Sequence, residues 1–437
     1  MDISFTKKAL EKQANDLNLC SRKMGEPRAT IYHRRLGALR AAHTLEDMRH
    51  MTGRFHMLTG KRKGYLNTLA TALTTMKTSL NQYHQPVAFH PGETLREKLD
   101  ELDMSLKEFA LRVSKPEKTV IAVLNGSSSL TPEMAVQFEH VLRIPAHVWM
   151  NLQSNFDEYR AREQRKEQLR ASAMWAKKFP LIEMMRMGWL PKATTIEEKT
   201  EALCEFFGMS GPQAWEDYYL RQELKVAFRI SLKHAKEPHA ISAWLRKGEL
   251  QAEELQAQPY RVSSFKEALE RVREIMTEHP ADFLVQLQDT CLAAGVKVVY
   301  TPCVNKAPLN GCARWLHDTP LIQLSGRHKR NDVFWFSFFH EAGHILLHGK
   351  KDVFLEGDNA GRDETKEAEA DAFAVKWVFP IEAERELLAL PRITTADILE
   401  FAHRYNTHPA MILGRLQHKG ILKQSFGKEL FEKIELE

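Results

Sequence analysis

Hydrophobic positions recur three and four residues apart over most of this chain, the spacing of helices that bury one face. Two such patterns open it, near 6–19 and 27–43. The second sets Ile31, Leu36, Leu39 and Ala42 on one side and Arg28, Arg34, Arg35 and Arg40 elsewhere. Between Gly53 and Gln82 the pattern frays and predicts neither helix nor strand. It becomes regular again at His90. Leu95, Leu99 and Leu102 mark one helix, Ser105 stands as N-cap of a second over Leu106 to Val113, and Pro116 opens a third that ends at Asn125-Gly126. Thr131-Pro132-Glu133 starts a fourth, and Ile144-Pro145 separates it from a fifth holding Val148, Trp149, Leu152 and Phe156. Five short helices packed this closely in sequence predict a compact helix-turn-helix domain.

Residues 160–290 stay helical, and the charged stretch Arg160 to Arg170 predicts an extended linker helix. After Gly295 the character changes. Val296 to Tyr300, Cys312 to Leu316 and Pro320 to Ser325 have strand composition and predict a small sheet ahead of a helix that begins near Asp332. The expected architecture is mainly α and multidomain, divided at 1–75, 76–160, 161–290 and 291–437, with a five-helix domain second and an α+β domain last.

Of the 437 residues, 43% are hydrophobic and 27% charged, enough apolar material for two or three cores and too much for a disordered chain. No apolar run approaches the length needed to span a bilayer, and the start lacks a signal-peptide core, so the expected location is the cytoplasm. Cys20, Cys204, Cys291, Cys303 and Cys312 include no CxxC pair, which excludes a disulfide framework and a cysteine zinc knuckle. Residues 1–85 hold 15 Lys and Arg against 6 Asp and Glu, or +9 of a total of +5, leaving −4 for the remainder. A basic block of this kind attracts nucleic acid or an acidic partner, or is simply a solvated surface.

The chemistry concentrates in His340-Glu341-Ala342-Gly343-His344. The flanking segments, Val333 to Phe339 and Ile345 to Leu347, are apolar nearly all round, so the helix is expected to be buried and its polar residues need partners. A divalent cation supplies one. His340 and His344 lie one turn apart on one face and suit a single tetrahedral Zn2+, while Glu341, turned by roughly 100°, is placed to take a proton from the attacking water. A third ligand is expected from the helix over Glu364 to Val378. At 100° per residue Glu367 shares a face with Asp371, Ala370 and Ala374, whereas Glu369 points the other way. Glu367 is therefore the expected ligand, Glu364 the alternative, and Asp371 is placed to hold a ligating imidazole. A hydrogen-bonded polar cluster without metal, or a closed structural zinc, fits the same residues. His348, one further turn along, is a candidate to extend the site, but it has its simplest role at the helix end, where an imidazolium favours the dipole. Arg314, Trp315 and Arg327 flank the sheet and are candidates for substrate contact, as is strand pairing with Pro320 to Ser325.

Phe338 to Gly349 and Glu367 to Ala374 resemble the zinc pattern of the ImmA/IrrE metallo-endopeptidases. That resemblance implies a zincin-like domain that cleaves a repressor and relieves transcriptional control. His90-Pro91-Gly92-Glu93-Thr94-Leu95-Arg96 and Leu130-Thr131-Pro132-Glu133 through Trp149-Met150-Asn151-Leu152-Gln153 resemble HigA-type antitoxins of the XRE class. This implies operator DNA as a partner, met by Lys115, Lys118 and Thr119, and a possible homodimer. The third helix presents Glu117, Lys118, Ile121 and Ala122, where base readout favours Arg, Asn, Gln or Ser, so a protein-docking domain remains the alternative. Ile3-Ser4-Phe5, Gly25 to Ala29, Leu39 to Leu45 and His56 to Gly64 resemble the start of a HigB toxin of the RelE/ParE superfamily. The resemblance stops at Gly64, with Thr68 to Thr75 in place of the closing strands, and implies a toxin remnant without nuclease activity, the alternative being a residual RNA-cleaving toxin. The protein substrate implied is a repressor or toxin.

Overall fold

A computed structural model describes residues 8–42, 47, 56–57, 66–67, 87–221, 237–305, 307, 309–348, 350, 354–356 and 363–434. The chain divides into two compact units, Met1–Glu167 and Gln168–Glu437.

The first unit opens with α1 (Lys8–Asn15), α2 (Leu17–Met24) and α3 (Glu26–Ala41). The single helix expected over 6–19 is broken at Asp16, whose carboxylate accepts from Leu19 N at 2.9 Å and caps α2. On α3, Leu36 and Leu39 are buried whereas Ile31 is 48% exposed. Five residues separate Ile31 from Leu36, a rotation of about 140°, so the two do not share a face. His56–Met57 (β1) pairs antiparallel with Leu66–Asn67 (β2). The stretch Thr68 to Thr75, read as a replacement for toxin strands, lies outside the described residues.

Next come α4 (Pro91–Glu101), α5 (Leu106–Arg112), α6 (Glu117–Leu124), α7 (Pro132–Leu142) and α8 (Ala146–Ala171). Their ends follow local chemistry. Ser105 Oγ accepts from Glu108 N at 3.2 Å, and Thr131 Oγ1 accepts from Met134 N at 3.3 Å. A methyl on Gly92 would lie 2.2 Å from Val123 O, so only glycine lets the start of α4 meet the end of α6. Phe109, Phe138 and Trp149 stack edge to face in a core that also takes Leu36, Leu39 and Ala42. Residues expected as a separate 1–75 segment are thus built into the helix-turn-helix core. Arg34 binds Glu93 at 2.7 Å and also Glu97, Arg35 binds Glu97 at 3.0 Å, and Asn151 Nδ2 donates to Ala41 O at 2.6 Å.

In the second unit, α9 (Ala173–Ala176), α10 (Leu181–Arg186), α11 (Ile196–Phe207) and α12 (Pro212–Glu216) enclose Trp175, Phe179, Phe207, Trp215 and Tyr219. Then follow α13 (Pro238–Glu253), α14 (Val262–Glu278) and α15 (Phe283–Ala293). The segment 161–290, expected as a linker, is in large part welded to the sheet that follows. Trp244 Nε1 donates to Thr301 O at 2.9 Å, and Gln323 Nε2 donates to Trp244 O at 2.7 Å. That sheet comprises β3 (Lys297–Tyr300), β4 (Gly311–Leu316), β5 (Thr319–Leu324) and β6 (Phe354–Glu356) in the order β3-β5-β4-β6. β5 is parallel to β3 and antiparallel to β4, and β4 is antiparallel to β6. Pairing of a peptide with Pro320 to Ser325 is therefore ruled out, because both sides of β5 already carry strands. Arg314 is likewise no substrate contact. Its side chain is buried, binding Glu249 at 2.9 Å, Leu245 O at 2.6 Å and Gln323 Oε1 at 3.1 Å, and it pins β4 to α13.

Across the sheet lies α16 (Asn331–Leu347), followed by α17 (Glu364–Val378) and the terminal helices α18 (Ile381–Leu388), α19 (Thr395–Arg404) and α20 (Pro409–His418). Phe334, Trp335, Phe338, Phe339 and Ala342 of α16 are buried. Gly343 lets α17 approach: a methyl there would stand 3.2 Å from the Phe373 side chain and 3.3 Å from the Ala370 Cα. Among the described residues no helix is long and apolar enough to cross a membrane.

Candidate functional site

The crossing of α16 and α17 brings His340, His344 and Glu367 together, with ligand atoms all within 4.8 Å of one another. The Nε2 atoms of the two histidines stand 3.0 Å apart, and each is 3.6 Å from a Glu367 carboxylate oxygen. A tetrahedral ion with arms of about 2.0–2.1 Å has edges of about 3.3 Å, close to all three separations. Both histidines are almost fully buried.

The opposite ring nitrogens argue for a cation as well. His340 Nδ1 lies 2.9 Å from Asp371 Oδ1, and His344 Nδ1 lies 2.9 Å from His348 Nδ1. His348 Nε2 in turn lies 3.1 Å from Glu369 Oε2. If Nδ1–H of His340 donates to Asp371, Nδ1–H of His344 donates to His348, and Nε2–H of His348 donates to Glu369, every contact is satisfied. Both inward Nε2 atoms then present lone pairs beside a carboxylate. Such a set of three acceptors fits Zn2+.

Glu364 is exposed and is not one of the three converging groups. Glu369 is exposed too, yet it reaches the centre through His348, a role that helix geometry alone did not suggest. The available signal was that His348 continues the His340, His344 spacing by one more turn. His348 does cap α16, its N–H donating to His344 O at 3.1 Å, but its ring turns inward, with the side chain only 3% exposed.

Glu341 is fully buried beside the start of β4. A methyl on Gly311 would lie 2.7 Å from Glu341 Oε1, so that strand runs directly against the carboxylate. Nothing in the spacing around Gly311 announces this approach. Trp315 packs edge to face on Tyr260, with Lys350 Nζ 4.9 Å from its ring centre.

On the first unit, α5, the turn at Ser114-Lys115 and α6 form the helix-turn-helix surface. Lys115 Nζ binds Glu133 at 2.7 Å, Lys118 is exposed and Thr119 is half-buried. Leu111 and Ile121 are exposed on the same pair of helices, at 73% and 39%.

Fold and site together define a molecule that joins a helix-turn-helix unit to a domain of metallopeptidase type. Residues 291–417 match the family model Peptidase_M78, described as an IrrE N-terminal-like domain. Over 64 residues, 15% of this chain and 68% of the relative, the sequence is 41% identical to the uncharacterized HTH-type transcriptional regulator YddM of Escherichia coli (strain K12). The chain belongs to the HTH-type transcriptional regulators. It is also similar to a putative antidote protein of a plasmid maintenance system from Nostoc punctiforme, 32% identical over 18% of this chain and 88% of that one, with a TM-score of 0.18. A HigA-family addiction module antidote protein from Coxiella burnetii is 32% identical over 19% and 91%, with a TM-score of 0.18. The antitoxin HigA of Pseudomonas aeruginosa, solved with the higBA promoter, is 29% identical over 19% and 90%, with a TM-score of 0.18.

Proposed function

We propose that this protein is a cytoplasmic regulator of toxin-antitoxin type, binding operator DNA through its helix-turn-helix unit and cleaving a regulatory protein with a zinc-dependent endopeptidase site. The observation that carries the reading is the convergence of His340, His344 and Glu367 beside a buried Glu341. Those three residues would hold Zn2+, which when bound supplies Lewis-acid polarisation of the scissile carbonyl. Glu341 takes the proton of the attacking water and returns it to the leaving amine. Asp371 and His348 keep the two imidazoles turned inward. Burial around Glu341 keeps bulk water away from the proton it carries.

The substrate is placed as an extended segment along β6. That strand forms one border of the sheet, and among the described residues no strand pairs with its far side. Lys118 and Thr119 at the start of α6 are the groups placed to meet DNA, with Lys115 joining them if its ion pair with Glu133 opens. The helices α1–α3 are read as the surviving part of a toxin-like segment, retained as packing for the helix-turn-helix core.

The test is co-expression with a candidate repressor or toxin. Glu341→Gln abolishes cleavage and leaves bound zinc unchanged, whereas Glu367→Ala loses the zinc. Cleavage that survives Glu341→Gln would reject the mechanism. Zinc held by four protein groups, with no cleavage by the wild type, would leave a DNA-binding antitoxin with a structural metal.

A further inference from the structure

The outer face of α6 carries an apolar side chain for which phosphate contacts have no use. Val120 and Val123 are fully buried in the helix-turn-helix core. At 100° per residue they point about 140–200° away from Lys118, whereas Ile121 and Ala122 lie within about 60° of it. Lys118 is exposed, Ile121 is 39% exposed and Ala122 is half-buried. Two neighbouring cations are engaged, Arg112 with Glu108 at 2.5 Å and Lys115 with Glu133 at 2.7 Å. Lys118 makes no ion pair among the described residues. The start of α6 therefore offers one available cation and, a turn later on the same face, a branched apolar side chain. Such a pair is poor at the bidentate hydrogen bonding done by Arg, Asn or Gln, yet it matches another feature of base-pair edges.

We propose that Ile121 is a specificity-determining residue that lies against the 5-methyl group of a thymine in the major groove, beside a guanine bound by Lys118. The inference rests on the operator-binding reading above. The thymine methyl is the apolar group that the major-groove edges present, and guanine O6 and N7 form the pair of acceptors that a lysine binds. Three residues of helix rise about 4.5 Å, against about 3.4 Å per base pair, so the thymine belongs one or two base pairs from the guanine. Ala122 ends at its Cβ and lets the helix sit close to the base edges. Glu117, exposed and about 40° from Ile121, adds a carboxylate that favours a cytosine amino group over phosphate on that side.

In the experiment, full-length protein selects from duplex DNA with a randomised centre, and the recovered consensus is remade with deoxyuridine in place of each thymine in turn. That exchange removes the methyl and no hydrogen-bonding group. The consensus is expected to hold a guanine with a thymine one or two positions away, and uracil at that thymine to weaken binding about fourfold. Ile121→Ala, an exposed change, is expected to bring the thymine-to-uracil affinity ratio close to one, and Lys118→Ala to relax the choice of guanine. A consensus without that thymine, a ratio that Ile121→Ala leaves unchanged, or a guanine preference that survives Lys118→Ala would overturn the inference while the operator reading stands. Equal binding of every duplex, weakened by salt, overturns it in the same way. No affinity for duplex DNA at low salt removes the operator reading as well and returns the face to protein docking.

Discussion

Replacing His348 by phenylalanine keeps a ring of similar size at the end of α16 and removes both of its nitrogens. His344 Nδ1 then loses the acceptor 2.9 Å away that fixes its tautomer, and Glu369 loses its contact with the His348 ring. The ring is enclosed, with the His348 side chain 3% exposed. Loss of a partner that orients a metal ligand typically weakens metal affinity about 10- to 100-fold, that is by about 1.4 to 2.7 kcal/mol. Competition with a chromogenic chelator at neutral pH measures this without any substrate. Asp371→Asn, at a residue whose side chain is 58% exposed, should weaken zinc binding less. If His348→Phe binds zinc as tightly as the wild type while Glu367→Ala loses it, the relay through His344, His348 and Glu369 has no part in holding the metal.

Gly311→Ala places a methyl 2.7 Å from Glu341 Oε1, so the carboxylate must move by several tenths of an ångström; cleavage should fall about 100-fold with zinc content unchanged, and full activity would show that the carboxylate position is not critical. His239 lies parallel on Trp215 at 4.5 Å, and burial, aided by Lys178, lowers its pKa to about 4. The unfolded chain therefore binds this proton from about pH 6.5 downward while the folded chain does not, and stability falls as pH drops from about 6.5 to about 4. Thermal unfolding followed across that window should decline less steeply in His239→Phe; an identical decline would remove His239 as a contributor.

Helix positions were legible where the signal is local. Ser105 and Thr131 cap the helices they announce, because a side-chain oxygen before an apolar run has one good use. Counting 100° per residue separates Glu367 from Glu369, and it is the Glu367 carboxylate that lies 3.6 Å from the Nε2 atoms of His340 and His344. What could not be read was long-range. Nothing local tells that β5 lies between β3 and β4, or that three residues at Phe354–Glu356 extend the sheet. Arg314 looks like a surface residue until α13 brings Glu249 to it. The break inside the helix expected over 6–19 was not legible either, since nothing in the spacing marks Asp16 as the cap of a new helix. The approach of Gly311 to Glu341 depends on how a sheet sits on a helix, and glycine leaves no periodic mark.

The shared core of the first unit also bears on how the chain is made. Leu36, Leu39 and Ala42 reach the ribosome exit long before Trp149 and Leu152, the partners against which they close. With about 110 residues between them and synthesis at about 5–20 residues per second, that wait lasts roughly 5 to 20 s. During it, the basic, partly apolar N-terminal helices stand without their other half. A nascent chain in this condition is a client for chaperones. A fragment cut or truncated after Ala42 would be left in that unfinished state, unable to act as an independent folded module.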